Sequence, residues 1–535
     1  MTAPADLVVT DGTVHTLADP DRTHGAVAVR DGRIVRLGDA YDVAFLIGTE
    51  TRVVECGGGV VLPGFVDAHT HLDALGARLV HADLSTAATR EEALALLSVR
   101  AAEVDPGRWV LGYGYDESAW PEDERRPLTR DDLDGVAHRG PVAAVREDMH
   151  LVSVDSTALD ALGALPAGVR REDGEPTGVL VEAAAGAVFD ATAPDRAEAR
   201  DRLRAATDHA VARGVTAVHD VVSNPAVARA HRDLALAGDL PLRVRIQYHR
   251  DRLDAVEATG LATNAGDRVR TGAIKAFADG SLGARTARLS TPYADAPAER
   301  GEWTTAPDDL AALVGRIDDL GLQAAVHAIG DEAVDAVLDA YAAVVGDDAA
   351  DDAHTDDAAD GGAEASAGGD GPRHRIEHAE LASDDAIDRM ADLGVVASVQ
   401  PNFLRWAGED GLYADRLGDR RPTNRLRAFA DAGVPLAFGS DCMPLDPLVG
   451  VHHAVTAPDP AQRLGVTAAL RAYTRGAAYA GFDEDRLGTV ERGTRADLVV
   501  LDRSPWDHPD AIDDVEVLAT VVDGEVVHAA DETRM

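Results

Sequence analysis

Val60–His71 reads VVLPGFVDAHTH, an apolar, β-branched run that ends in two histidines one residue apart. Residues of this kind favour a strand. Side chains at i and i+2 of a strand share one side, so His69 and His71 can reach the same ion. Seven more strand-like runs follow: Thr216–Asp220, Arg243–His249, Gly272–Asp279, Leu322–Ala328, His374–Ala379, Val396–Pro401 and Pro435–Asp441. Helix-like patterns separate them, which points to parallel βα units. Eight such units predict an α/β chain built on a (β/α)8 TIM barrel. The gap after the first run, about 76–210, is too long for one helix and predicts an inserted subdomain. Pro141–Asp148 (PVAAVRED) reads as one of its strands.

Outward from the barrel, the two ends of the chain resemble each other. Ala5–Gly12 (ADLVVTDG) and Val29–Asp39 (VRDGRIVRLGD) are echoed by Ala496–Asp502 (ADLVVLD) and Val521–Asp531 (VVDGEVVHAAD). β-Branched runs punctuated by Asp-Gly signal hairpins. Residues 1–58 and 488–535 are therefore expected to form one small β-sandwich, with the barrel in 59–487. A second insertion, 347–371, is nearly all Asp, Ala, Gly and Glu without apolar periodicity. It reads as a solvated, disordered loop, and its His354 carries no chemistry.

The chemistry-bearing residues fall at or near the C-terminal ends of the barrel runs, the face where barrel enzymes build their sites. His69 and His71 end the first run, Lys275 lies in the fourth, His327 ends the fifth, His378 the sixth and Asp441 the eighth. A lone strand histidine is more often structural, but six such residues over five strands are hard to explain as packing. Lys275 is the only lysine among 51 basic residues. It sits in an apolar strand, where an unpaired ammonium is costly. Carbon dioxide could convert its amine into a carbamate, whose two oxygens could bridge two metals; the other reading is a plain buried lysine.

The composition limits the partners. A formal net charge of −43 repels nucleic acid and anionic membranes. Acidity with almost no lysine is expected of a protein that works in concentrated salt, where screening shrinks the Debye length to ~3 Å at 1 M. Met1–Thr10 does not read as a signal peptide, and no apolar run reaches membrane-spanning length. A cytoplasmic location is the resulting expectation. Two cysteines, Cys56 and Cys442, are too few for a disulfide framework or a thiolate zinc site. Cys442 reads as a small buried side chain, and His219 as core packing or a contact behind the ligands.

The segments Pro63–Asp73 (PGFVDAHTHLD), Lys275–Ala287 (KAFADGSLGARTA), His327–Asp335 (HAIGDEAVD), Arg375–Leu381 (RIEHAEL), Ser398–Phe403 (SVQPNF) and AFGSD, ending at Asp441, resemble the amidohydrolase superfamily. The resemblance is closest to amidohydrolase family three, the branch that includes N-substituted formamide deformylase. It extends through GTVERGTRADLVVLD and spares only the acidic insertion.

The resemblance implies that His69 and His71 bind one metal with Asp441 close by. It places His327 and His378 on a second metal and carbamylated Lys275 between the two. A hydroxide held by both metals would attack a substrate carbonyl, and Asp441 would pass its proton to the leaving nitrogen. Zinc suits mixed imidazole and carboxylate ligands; manganese, iron and cobalt also bind such sets. His150, in REDMH, resembles a family histidine offered to the substrate carbonyl, against a structural alternative. Asp279 and Arg285 either order the loop after the fourth strand or bind substrate. Glu117 and Trp120, in YDESAW, are further substrate-side candidates, while Glu182 reads as structural.

The activity this implies is hydrolysis of a non-peptide carbon–nitrogen bond in a small amide. Ester, lactone or phosphotriester hydrolysis on the same residues is the nearest alternative. A mononuclear deaminase needs no bridging lysine, and a non-catalytic scaffold is expected to have lost ligands. A homodimer is compatible with the chain, though no sequence feature demands one.

Overall fold

The computed structural model describes residues 3–147, 149–164, 166–351, 371–408, 411–418 and 422–530. They separate into two compact units. The first comprises residues 1–71, 207–223 and 231–535, and the second 72–206 and 224–230. No helix among the described residues is long and apolar enough to cross a membrane.

The first unit is built on eight parallel strands in sequence order: Phe65–Thr70, Val215–Val222, Arg243–His249, Val269–Phe277, Ala324–Ala328, Arg375–His378, Val396–Val399 and Leu436–Phe438. Parallel neighbours need a crossover between them, and a helix supplies it, as Pro307–Asp319 does between the fourth and fifth strands. The seam between the last strand and the first is joined where Asp441 N–H donates to the His69 carbonyl at 2.8 Å. This is the TIM barrel expected from the eight runs.

One boundary differs from the sequence reading. Val60–Pro63 belongs to a terminal sheet, and the barrel strand begins only at Phe65. Gly64 is the break. A Cβ there would lie 2.2 Å from Thr216 Cγ2, so only glycine lets the chain pass the second strand while it changes sheets.

Both termini build the two small sheets. One holds Leu7–Thr10, Ala26–Arg30, Arg33–Gly38 and Arg52–Glu55. The other joins Thr13–His15, Thr23–His24 and Val60–Pro63 to Leu498–Leu501, Val517–Val522 and Glu525–Ala529. Leu7, Val27 and Val29 share one buried core with Leu498, Val500 and Val521. Asp31-Gly32 and Asp523-Gly524 are the two-residue hairpins expected, with positive φ at all four residues. Asp11-Gly12 is not a hairpin. The strands on either side of it enter different sheets, because Leu7–Thr10 pairs with Ala26–Arg30 whereas Thr13–His15 pairs with Val60–Pro63.

The second unit holds a six-stranded mixed sheet in which Val142–Arg146 is an inner strand. The acidic segment begins later than its composition suggests. Helix Asp331–Asp351 runs through its first residues. Residues 352–370, His354 included, lie outside the described residues.

Candidate metal centre

Three imidazoles converge at the C-terminal ends of the first, fifth and sixth barrel strands. The rings of His69 and His378 have centroids 5.1 Å apart, and those of His327 and His378 4.5 Å apart. All three are largely buried. In each, one ring nitrogen is tied to a fixed acceptor. His69 Nδ1–H donates to Glu377 Oε2 at 2.5 Å, His378 Nδ1–H to Gln400 Oε1 at 2.7 Å, and His327 Nε2–H to the Gly280 carbonyl at 3.0 Å. Donation at one nitrogen leaves a lone pair at the other. Metal-binding histidines are oriented in this way, with the far N–H held by a carboxylate or carbonyl.

Burial keeps these rings neutral. It lowers the His69 and His378 imidazoles from their ordinary value, and His327 to about 3, with the nearby Lys275 acting in the same direction. A neutral imidazole is the form that ligates a metal.

His71 lies just past the end of the first strand, with its ring centroid 5.4 Å from that of His69. Its Nε2 is 3.2 Å from Asp441 Oδ1, and His69 Nε2 is 3.7 Å from the same oxygen. Ligand atoms of His69, His71 and Asp441 all fall within 4.8 Å of one another. Burial alone would raise the Asp441 carboxyl, but the His71 hydrogen bond and the surrounding histidines hold it below the usual range, and it stays ionised. Two imidazoles and a carboxylate in this arrangement fit a divalent transition-metal ion.

Lys275 Nζ is 3.3 Å from His69 Nε2, and the side chain is 1% exposed. Loss of hydration pushes its ammonium down to about 8, against the opposing pull of Glu377 and Asp441. Its amine is thus available as a nucleophile far nearer neutrality than an exposed lysine would be.

The backbone is unusual at these positions. His378 and Ala379 have φ of 73° and 47°, and Asp441 and Cys442 have φ of 54° and 58°. Non-glycine residues are rarely left-handed, and such strain clusters at functional sites. Cys442 is buried, and its Sγ accepts the His71 N–H at 3.3 Å.

Asp279 and Arg285 both make contacts that order the loop after the fourth strand. Buried Asp279 accepts the backbone N–H groups of Arg288, Ile329 and Gly330 at 2.7, 3.0 and 2.8 Å. Arg285 pairs with Asp295 at 2.8 Å.

The remaining candidates lie in the second unit. His150 Nδ1 is 3.2 Å from Glu182, and Glu117 accepts from Arg146 Nε at 2.9 Å. Trp120 is 1% exposed, and its indole N–H donates to the Ala87 carbonyl at 3.0 Å. A buried indole is satisfied by such a bond.

Three polar residues were not singled out in the sequence. Glu377 and Gln400 hold the imidazoles. Asp67 accepts the backbone N–H groups of Ser440 and His69 at 2.9 and 3.2 Å, tying the first strand to the turn before Asp441. Asp67 shares a strand face with His69, so the same i, i+2 spacing could have found it.

The amidohydrolase family model matches residues 52–528. The protein LONG AFTER FAR-RED 3 of Arabidopsis thaliana is 30% identical, covering 98% of this chain and 92% of its own. N-substituted formamide deformylase of Arthrobacter pascens is 29% identical over 98% of each chain. Among solved structures, an uncharacterized metal-dependent hydrolase from Pyrococcus furiosus superposes with a TM-score of 0.77 at 30% identity, covering 94% of this chain and 99% of that one. With a barrel, a histidine–carboxylate cluster at its C-terminal face and a family match over most of its length, the chain belongs to the amidohydrolase family.

Proposed function

We propose that this amidohydrolase cleaves a non-peptide carbon–nitrogen bond in a small amide, using two divalent ions, zinc in the first instance. One observation carries the reading: three buried, neutral imidazoles, each anchored at one nitrogen, gather with His71, ionised Asp441 and buried Lys275. The named activity of the deformylase relative supports the choice of bond.

His69 and His71 would hold one ion beside Asp441, and His327 and His378 the other. A carbamate on Lys275 would offer one oxygen to each. When bound, the ions would polarise the substrate carbonyl and make water a nucleophile near neutral pH. Asp441, ionised and 3.2 Å from His71, would accept a proton from the attacking water. It would return that proton to the leaving nitrogen as the C–N bond breaks, so that an acid and an amine leave the site. Glu377 and Gln400 keep the imidazole lone pairs directed inward throughout.

The test is elemental mass spectrometry of protein purified without chelator, followed by turnover of matched amides and esters. About two transition-metal ions per chain and a preference for the amides are expected. A chain that holds no metal, and gains no activity from added zinc or manganese, would sink the proposal.

A further inference from the structure

The opposite face of the barrel carries a second concentration of charge. Residues of the second, third and fourth strands and of the segment after the barrel line a small cavity there, among them His219, Arg245, Arg270, Asp483 and Arg486. Its volume is about 10 Å³, room for a single water-sized sphere.

The charges around this cavity do not balance. One carboxylate, Asp483, faces three guanidiniums: Arg245 Nη2 at 2.7 Å, Arg270 Nη1 at 3.1 Å and Arg486 Nε at 3.6 Å. Beside them, Arg243, Arg268 and Arg495 share Asp497, Asp523 and Asp267. Six guanidiniums therefore meet four carboxylates, in a chain whose net charge is −43.

Several donors here have no hydrogen-bond acceptor among the described residues. Arg245 is 4% exposed, and its Nε–H finds no partner. The same holds for Arg270 Nε and Arg486 Nη2, while Arg486 Nε has only its 3.6 Å ion contact with Asp483. His219 accepts Arg375 Nη1 at its Nδ1, 2.9 Å away, so its Nε2 carries the proton. A Cβ on Gly481 would lie 2.6 Å from His219 Nε2 and 2.8 Å from Arg245 Nε. Gly481 therefore packs close against both nitrogens. Buried donors without acceptors call for an unseen partner. Excess positive charge specifies its sign, and the cavity volume limits it to one small sphere.

We infer that this floor of the barrel binds one halide ion, chloride in ordinary buffers, between Arg245, Arg270 and Arg486. Crowding by like charges lowers the Arg245 and Arg486 guanidiniums on top of their burial. A halide there relieves that repulsion. It also joins the third and fourth strands to the segment that follows the barrel.

Crystals of the full chain grown in sodium bromide test the site directly by anomalous scattering. Thermal melts in sodium chloride, sodium bromide and sodium gluconate at matched ionic strength test it in solution. Wild type is expected to show bromide density in this cavity and a midpoint about 1–3 °C higher in either halide than in gluconate. Arg486→Gln should lose that increment and keep its gluconate midpoint, because a repulsive charge has gone. Arg270→Gln serves as the second variant should the first fold poorly. Two results overturn the inference. One is an absence of bromide density here in crystals that show it elsewhere. The other is an equal halide increment in wild type and variants.

Discussion

The Glu377 carboxylate accepts the Nδ1–H of His69 at 2.5 Å, and both side chains are sealed from solvent. The same carboxylate is gripped by Arg375 Nε at 2.5 Å and Ser398 Oγ at 2.7 Å. Burial favours the neutral acid, but Arg375 and His69 outweigh it and hold Glu377 well below the usual carboxylate range. A fixed negative charge therefore stands behind the imidazole and makes its free nitrogen a better donor to a metal.

Glu377→Gln should accordingly weaken metal binding by about 10–100-fold. It should also destabilise the metal-free protein by about 3–5 kcal/mol, since Arg375 loses its buried partner. Competition against a chromogenic chelator measures the first effect, and melting of the apoprotein the second. A folded variant with wild-type metal affinity would show that Glu377 balances Arg375 and does nothing for His69.

This pair also marks where sequence reading stops. The eight strands were legible because each carries its own short apolar run, and the candidate ligands stood out because each falls near a strand end. Glu377 lies one residue from one candidate ligand but holds a different one, 308 residues away on another strand. Gln400 supports His378 from the next strand over in the same manner. Such pairings depend on strand neighbours and on which side each residue faces, so no linear spacing reveals them. The barrel start was misplaced for a related reason. Val60–Phe65 reads as one run, and the switch at Gly64 comes from a close approach to Thr216.

Lys275→Ala should remove most of the bound metal and most of the activity. The amine sits 3.3 Å from His69 Nε2, and alanine leaves nothing to reach between the two groups of histidines. Partial recovery with added formate or acetate is expected if a carbamate oxygen pair is what the site lacks. Elemental analysis of the variant decides the matter: full metal content without Lys275 would refute a bridging role.

Gly439→Ala tests the barrel seam. A Cβ at this position would lie 2.5 Å from the His69 backbone nitrogen and 2.6 Å from its Cβ, neither of which can swing aside. The last strand must then move off the first, stretching the 2.8 Å bond from Asp441 N–H to the His69 carbonyl. Overpacking of this kind costs about 1–3 kcal/mol. Metal content should fall with stability, because His69 and Asp441 separate. A melting point and metal content equal to wild type would mean that the seam yields without disturbing the ligands.

Asp523 offers a pH test away from the metal ligands. Its carboxylate meets Arg243 at 2.5 Å, Arg495 at 2.9 Å and Arg268 at 3.0 Å. Burial would raise its carboxyl, but these guanidiniums, Arg243 foremost, hold it below the ordinary carboxylate range. A depressed folded-state value means that the unfolded chain takes up the proton first as pH falls. The stabilisation is thus complete above the unfolded value and fades as pH drops through the folded one. Asp523 is also the first residue of a two-residue hairpin, with φ of 53°, where asparagine is equally at home. Asp523→Asn therefore removes the charge and keeps the turn. Unfolding midpoints of the two proteins should differ at neutral pH, with the variant lower, and converge below about pH 4 as wild type loses its own charge. A difference that stays constant into acid would locate the effect in the turn rather than in the ion pairs.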